Sequence, residues 1–310
     1  MTRGLVTPGS RTRGWTAVAC LCAASLHAET DRSVPTFQVG VEVVNLNLSV
    51  TDPKDHFVTD IGEHDLTIFE DGVRQDICLF TREKLPISLA ILIDGSASMQ
   101  PTLPTAQAAA IRLVRTLGPQ DQAEIAQFDR RFTVLQDFTS DHDALEAAIG
   151  RIQAQGETAL YNALYIALKD LSVRKKEGEL QRRALVVLSD GEDTTSMLTD
   201  DQVLTMARRA EVAVYAIGLF HPEPGAGTGT GLPTFFLNAL ARETGGRAYF
   251  PSGLAQLEGV YDRIAEELRT LHGVGYVSNN PRKDGGWRKI VIQTSRTNLL
   301  VRHKLGYFAR

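Results

Sequence analysis

The sequence predicts an α/β fold: a doubly wound, mainly parallel sheet with helices on both faces, joined to a small β-sandwich-like layer built from the N- and C-terminal flanks. Three observations lead there. Through the middle of the chain, short apolar runs alternate with helical patterns, as in a parallel sheet covered by helices. Both flanks show instead the two-residue alternation of half-buried strands. One apolar run, Leu89 to Ile93, stops abruptly in Asp94-Gly95-Ser96-Ala97-Ser98, which puts polar side chains where open α/β sheets bind ligands.

Residues 29–38 read as a leader, and from Val41 the alternation is strict, with Val44, Leu46, Leu48 and Val50 set against Asn45, Asn47 and Ser49. Leu66 and Ile68 share a face of a second strand that ends in Asp71-Gly72, a hairpin dipeptide. Ile77 and Leu79 continue the pattern to about residue 83. Strands follow at 88–94, 122–128, 184–189 and 212–219, with an edge hairpin strand at 131–137. Between them helices are expected near 104–117, 142–152, 160–172, 200–210, 234–243 and 255–271. From Gly273 the chain returns to β, with Ile290/Ile292 and Leu299/Val301 on two further strands. Residues 29–83 carry twelve acids against four Arg/Lys, and residues 282–310 carry eight Arg/Lys against one acid. Opposite charges of this kind favour pairing of the two flanks in one layer. The chain thus divides into a signal segment, 1–28, an N-terminal β segment, 29–83, a central domain, 84–271, and a C-terminal β segment, 272–310, that pairs with the N-terminal one.

At 310 residues, with 43% hydrophobic and 23% charged residues, the chain has the size and composition of one large or two smaller globular domains. A net charge of −4 argues against general nucleic-acid binding. At the N-terminus Arg3, Arg11 and Arg13 precede an apolar run, Trp15 to Leu26, and a small-residue exit at Ala28. This is the pattern of an export signal cleaved near Ala28, with an uncleaved anchor as the alternative. The mature chain would then be periplasmic, on the cell surface or secreted, without a transmembrane span. Loss of those three arginines takes the charge from −4 to −7. Cys20 and Cys22 leave with the signal, so Cys78 stays alone and no internal disulfide supports the fold.

Side chains two apart in an extended segment point the same way, so Asp94, Ser96 and Ser98 can converge above the end of their strand. Gly156-Glu157-Thr158 sits just before a helix and offers a third hydroxyl. Leu188-Ser189-Asp190-Gly191 ends the next buried strand with a second carboxylate on the same edge. Five oxygen donors from three loops suit a hard cation, Mg²⁺ or else Mn²⁺ or Ca²⁺.

In this order Asp-x-Ser-x-Ser, Gly-x-Thr and Ser-Asp-Gly resemble the metal-ion-dependent adhesion site of von Willebrand factor A domains, over roughly residues 84–271. All five positions match: Asp94, Ser96, Ser98, Thr158 and Asp190. The phrase Leu66-Thr67-Ile68-Phe69-Glu70-Asp71-Gly72 and the ending Lys304-Leu305-Gly306-Tyr307 also resemble exported A-domain-related proteins of Acidobacteria. The resemblance implies that Ser96, Ser98 and Thr158 hold the cation through hydroxyls. Asp94 and Asp190 would act through bound water or by orienting those hydroxyls. It implies a non-enzymatic protein-binding or adhesion module, whose cation accepts a carboxylate from a protein partner.

A Mg²⁺-dependent hydrolase and a metal-independent component of an envelope assembly are the other readings. No motif places a base or nucleophile near the serines, and the seven histidines form no zinc pair. The glycines between Pro222 and Leu232 lack the Gly-Lys-Ser/Thr of a phosphate-binding loop and read as a loop bordering the metal edge, with His221 beside it as a surface residue. Glu157, Glu192 and Asp193 read as solvated loop residues, with local negative charge at the edge as the alternative.

Overall fold

The computed structural model of the chain describes residues 43–174, 182–190, 193–219 and 232–309. The signal segment, Gly191, Glu192, His221 and residues 222–231 of the Gly-rich stretch lie outside the described residues.

The N-terminal flank forms strands β1 (Val43–Thr51), β2 (Leu66–Glu70), β3 (Val73–Gln75) and β4 (Ile77–Thr81). The central region follows with β5 (Ile87–Asp94), α1 (Leu103–Arg115), β6 (Gln122–Phe128), β7 (Phe132–Thr139), α2 (His142–Ile149) and α3 (Leu160–Val173). It continues through β8 (Arg182–Ser189), α4 (Asp200–Ala210), β9 (Ala213–Gly218), α5 (Leu232–Thr244), β10 (Ala248–Tyr249) and α6 (Leu257–Thr270). The C-terminal flank adds β11 (His272–Val277), β12 (Trp287–Thr294), β13 (Leu300–Arg302) and β14 (Gly306–Phe308).

The central strands make one six-stranded sheet in the order β10-β9-β8-β5-β6-β7. Neighbours run parallel except β6 and β7, an antiparallel edge hairpin interrupted by register shifts. All eight residues of β5 are buried, because it lies in mid-sheet under helices on both sides. Its Leu89, Ile91 and Ile93 face α1, α2 and α6, while Ala90 and Leu92 face α3, α4 and α5. Each large aliphatic so enclosed contributes about 1.5–3 kcal/mol before entropy is counted against it. The chain leaves β5 towards β6 and β7, then returns to its other side as β8. That reversal opens a crevice at the carboxyl ends of β5 and β8.

The flanks form two four-stranded antiparallel sheets, β13-β1-β11-β4 and β14-β12-β2-β3. Leu46, Leu48, Ile68, Val274, Tyr276, Ile290 and Tyr307 make the core between them. At the hairpin, Asp71 and Gly72 both take positive φ (48° and 84°), the conformation a two-residue turn needs to follow strand twist. The structure departs from the simple alternation at β4. Only Asp76 separates it from β3, yet it crosses to the other sheet and pairs with β11. The Glu70 carboxylate is buried between the sheets, where it accepts from Tyr276 Oη (2.8 Å), Tyr307 Oη (2.9 Å) and Ser278 Oγ (2.6 Å). Burial pushes the Tyr307 hydroxyl up to about 12, so it stays a donor at ordinary pH.

Candidate metal centre

Asp94 is the last residue of β5 and is fully buried. Its Oδ1 accepts from Ser96 N at 2.8 Å, which turns the chain out of the strand. Its Oδ2 accepts from Ser189 Oγ at 2.5 Å, which ties the end of β5 to the end of β8. Burial pushes the Asp94 carboxyl up to about 6; the hydrogen bonds from Ser189 and Ser96 oppose this, and the negative charge of Asp190 adds to it. Beyond the strand, Ser96 Oγ and Ser98 Oγ lie 2.9 Å apart, Ser96 buried and Ser98 open to solvent. A short 3-10 turn, Ala97–Met99, then leads towards α1.

Gly95 lets three loops meet. Its N–H donates to Phe128 O (2.7 Å) and its carbonyl accepts from Gln155 N (2.6 Å). A Cβ there would sit 2.9 Å from Gln153 O and 2.7 Å from Gln127 Nε2, so any larger residue collides. Ala97 N donates to Gly156 O at 3.0 Å, which fixes the serine loop against the loop bearing Thr158. Thr158 is buried, and its carbonyl accepts from Thr194 N (2.9 Å) and Thr195 N (3.1 Å), just past Asp190. Asp190 Oδ1 is buried and has no hydrogen-bond partner among the described residues.

The five residues therefore sit on loops that hydrogen bonds lace together at one sheet edge. Two carboxylates in a largely buried setting, one with an orphaned oxygen, leave negative charge without a full complement. With paired serine hydroxyls beside them, this oxygen-only donor set fits a hard divalent cation. Among the described residues no cluster of three or more His, Cys, Asp or Glu forms. Sequence reasoning gave no role to Ser189, although it stands inside the Ser-Asp-Gly motif. It also took Asp193 for a solvated residue, whereas Asp193 Oδ1 accepts from Ser196 Oγ at 2.6 Å and Tyr161 N at 3.2 Å.

A six-stranded, mainly parallel sheet with three helices on each face and polar loops at the switch point is the fold of a von Willebrand factor type A domain. The family description "von Willebrand factor type A domain" matches residues 89–192, about a third of the chain. Among solved structures, a von Willebrand factor type A protein from Catenulispora acidiphila is 13% identical, with 88% of this chain and 65% of that chain covered and a TM-score of 0.52. An aerotolerance-related membrane protein from Bacteroides fragilis is 20% identical over 59% of this chain and 98% of its own, with a TM-score of 0.46. Proximal thread matrix protein 1 from the mussel byssus, with a zinc-occupied adhesion-site motif, is 17% identical over 63% of this chain and 48% of its own, with a TM-score of 0.49. No protein of curated function matches the sequence. Domains of that description commonly mediate protein–protein interaction. Among the described residues no helix is long and apolar enough to cross a membrane.

Proposed function

We propose that this chain is an exported, non-enzymatic binding module that engages a protein partner through a divalent cation. Ser96, Ser98 and Thr158 would hold the cation through hydroxyl oxygens, with Asp94 and Asp190 as the charged groups behind them. Mg²⁺ fits such a set first, with Mn²⁺ or Ca²⁺ as substitutes. Bound there, the cation supplies a Lewis-acidic position for an acidic group of the partner. The chain's own residues do the rest. Ser189 and Ser96 N hold the Asp94 carboxylate in one orientation, and Gly95 brings the serine loop against the Thr158 loop.

The observation that carries this reading is Asp190 Oδ1, buried and without a hydrogen-bond partner among the described residues, close enough to the buried Asp94 carboxylate for its charge to act on it, at an edge otherwise furnished with hydroxyls. The test is isothermal titration of Mg²⁺ and Mn²⁺ into the protein and its Asp94→Ala variant, followed by capture from envelope extracts with Mg²⁺ and then with EDTA. Binding by the parent, none by the variant, and partners lost on chelation are expected. Equal affinity in the two proteins refutes the assignment, and partners that stay bound in EDTA favour a metal-independent structural component.

A further inference from the structure

Helix α3 starts without a cap of its own. Its N-cap residue is Ala159, whose side chain accepts nothing, so the first-turn N–H groups need acceptors from elsewhere. They find them on the segment that follows Asp190. Tyr161 N donates to Asp193 Oδ1 (3.2 Å) and Asn162 N to Ser196 Oγ (3.1 Å), while Ser196 Oγ donates to the same Asp193 oxygen. In return, Asn162 Oδ1 accepts from Met197 N (3.3 Å) and Leu198 N (3.2 Å). One turn earlier, Thr194 Oγ1 donates to Thr158 O (3.1 Å) and accepts from Thr158 N (3.1 Å), and Thr195 Oγ1 donates to Thr158 O (3.3 Å).

This lacing joins the loop that carries Asp190 to the helix end that carries Thr158. We infer that Asp193 and Ser196 are positioning residues: they cap α3 from the neighbouring strand's loop and so set Thr158 against Asp190. The inference rests on the cation reading of the site given above. It also assigns the Asp193 carboxylate a geometric task, distinct from lending charge to the edge. A negative group at the first turn favours the helix dipole as well, but the hydrogen-bond acceptor is the part that fixes position.

Charge and geometry separate by substitution. Asp193→Asn keeps an oxygen acceptor and removes the charge, whereas Asp193→Ala removes both. Mg²⁺ affinity is measured by calorimetry on the full chain and on Asp193→Ala, Asp193→Asn and Ser196→Ala, with thermal unfolding in EDTA and amide hydrogen exchange at Tyr161 and Asn162. Groups that orient metal ligands usually change affinity by about 10–100-fold when removed. Asp193→Ala is expected to fall in that range with faster exchange at both amides, Ser196→Ala to move the same way, and Asp193→Asn to recover most of both. Unchanged affinity in Asp193→Ala overturns the inference, and so does an Asn variant as weak as the Ala one with its amides still protected. If the parent itself binds no Mg²⁺ or Mn²⁺ while both amides are protected, the cation reading fails and Asp193 is only a helix cap.

Discussion

Glu124 offers a test of how the sheet treats a buried charge. It lies on β6 opposite Ala90 of β5, on the face covered by α3, and is 4% exposed. Burial pushes its carboxyl up to about 7; the charge of Arg174 opposes this, and those of Asp137 and Asp170 add to it. Below pH 4.5 the folded and unfolded chains both hold the proton. Between 4.5 and about 7 the unfolded chain releases it and the folded chain keeps it, so stability falls as pH rises. At about 1.4 kcal/mol per pH unit, the loss reaches about 3 kcal/mol by pH 8. Asp and Glu residues elsewhere titrate in parent and variant alike and cancel in the difference. Glu124→Gln should therefore match the parent near pH 4 and exceed it progressively up to pH 8, by about 3 kcal/mol in urea unfolding. In thermal unfolding that is roughly 2–4 °C for each kcal/mol. Mg²⁺ affinity should not change, because Glu124 lies away from the carboxyl edge. A stability difference that stays flat across this range would refute the assignment of a buried, high-pKa carboxyl to Glu124.

Three further perturbations probe the scaffold. Gly95→Ala drives a methyl onto Gln153 O and Gln127 Nε2, and should cost about 1–3 kcal/mol in urea unfolding while weakening Mg²⁺ binding; unchanged affinity would mean the three loops meet without it. Arg182→Met leaves the carbonyls of Glu83, Leu268 and Leu271 without their guanidinium donor, so a loss of at least about 3 kcal/mol is expected by thermal unfolding, and less than 1 kcal/mol would contradict it. Met197 is 92% exposed on the segment that caps α3, so Met197→Ser should leave stability within about 0.5 kcal/mol and metal affinity intact, yet lower partner capture in Mg²⁺. Undiminished capture would place the partner's footprint elsewhere.

What the sequence discloses depends on how local the cause is. Strands β5, β8 and β9 are legible because burial on both faces leaves an apolar run that turn residues bound, and their ends fall within two residues of expectation. The Asp71-Gly72 hairpin is legible because few dipeptides tolerate two positive φ angles. The two-residue strand β10 carries too little pattern to be seen, and the crossing of β4 to the other sheet is decided by its pairing with β11, nearly 200 positions away. In the candidate site, the five proposed donor positions follow from a spacing motif. The groups that hold them do not, since Ser189 meets Asp94 across 95 positions and Asp193 meets Tyr161 across 32. Opposite flank charges do meet, in Arg288 with Asp71 and Arg296 with Asp60. The Arg296–Asp60 pair is exposed and stabilises little, whereas Arg288 is itself buried; apolar burial between the sheets supplies most of the sandwich's stability.

The two ends of the parallel sheet are built differently. At the carboxyl end, hydroxyls and carboxylates are brought together, and Asp190 Oδ1 has no hydrogen-bond partner among the described residues. At the amino end, buried charges are paired with one another and with carbonyls, although Arg182 Nε, Glu267 Oε2 and Arg302 Nε also lack hydrogen-bond partners among the described residues. The Arg182 guanidinium, 2% exposed, bonds to Glu83 O, where the chain arrives from the N-terminal sandwich strands, and to Leu268 O and Leu271 O, where it leaves for β11. Glu267 of α6, also buried, accepts from Tyr215 Oη at 3.0 Å and pairs with Arg302 of β13 at 2.5 Å, while Asp55 pairs with Arg247 and Arg263. To pivot against the central domain, the sandwich would have to strip partners from buried charges, at a cost of several kcal/mol each. The length of β5, eight residues at about 3.3 Å each, separates this fastened end from Asp94. On the proposed reading, a partner seated at the carboxyl edge would load a strand fastened at its far end, and the loops bearing Ser98 and Thr158 would carry the selectivity.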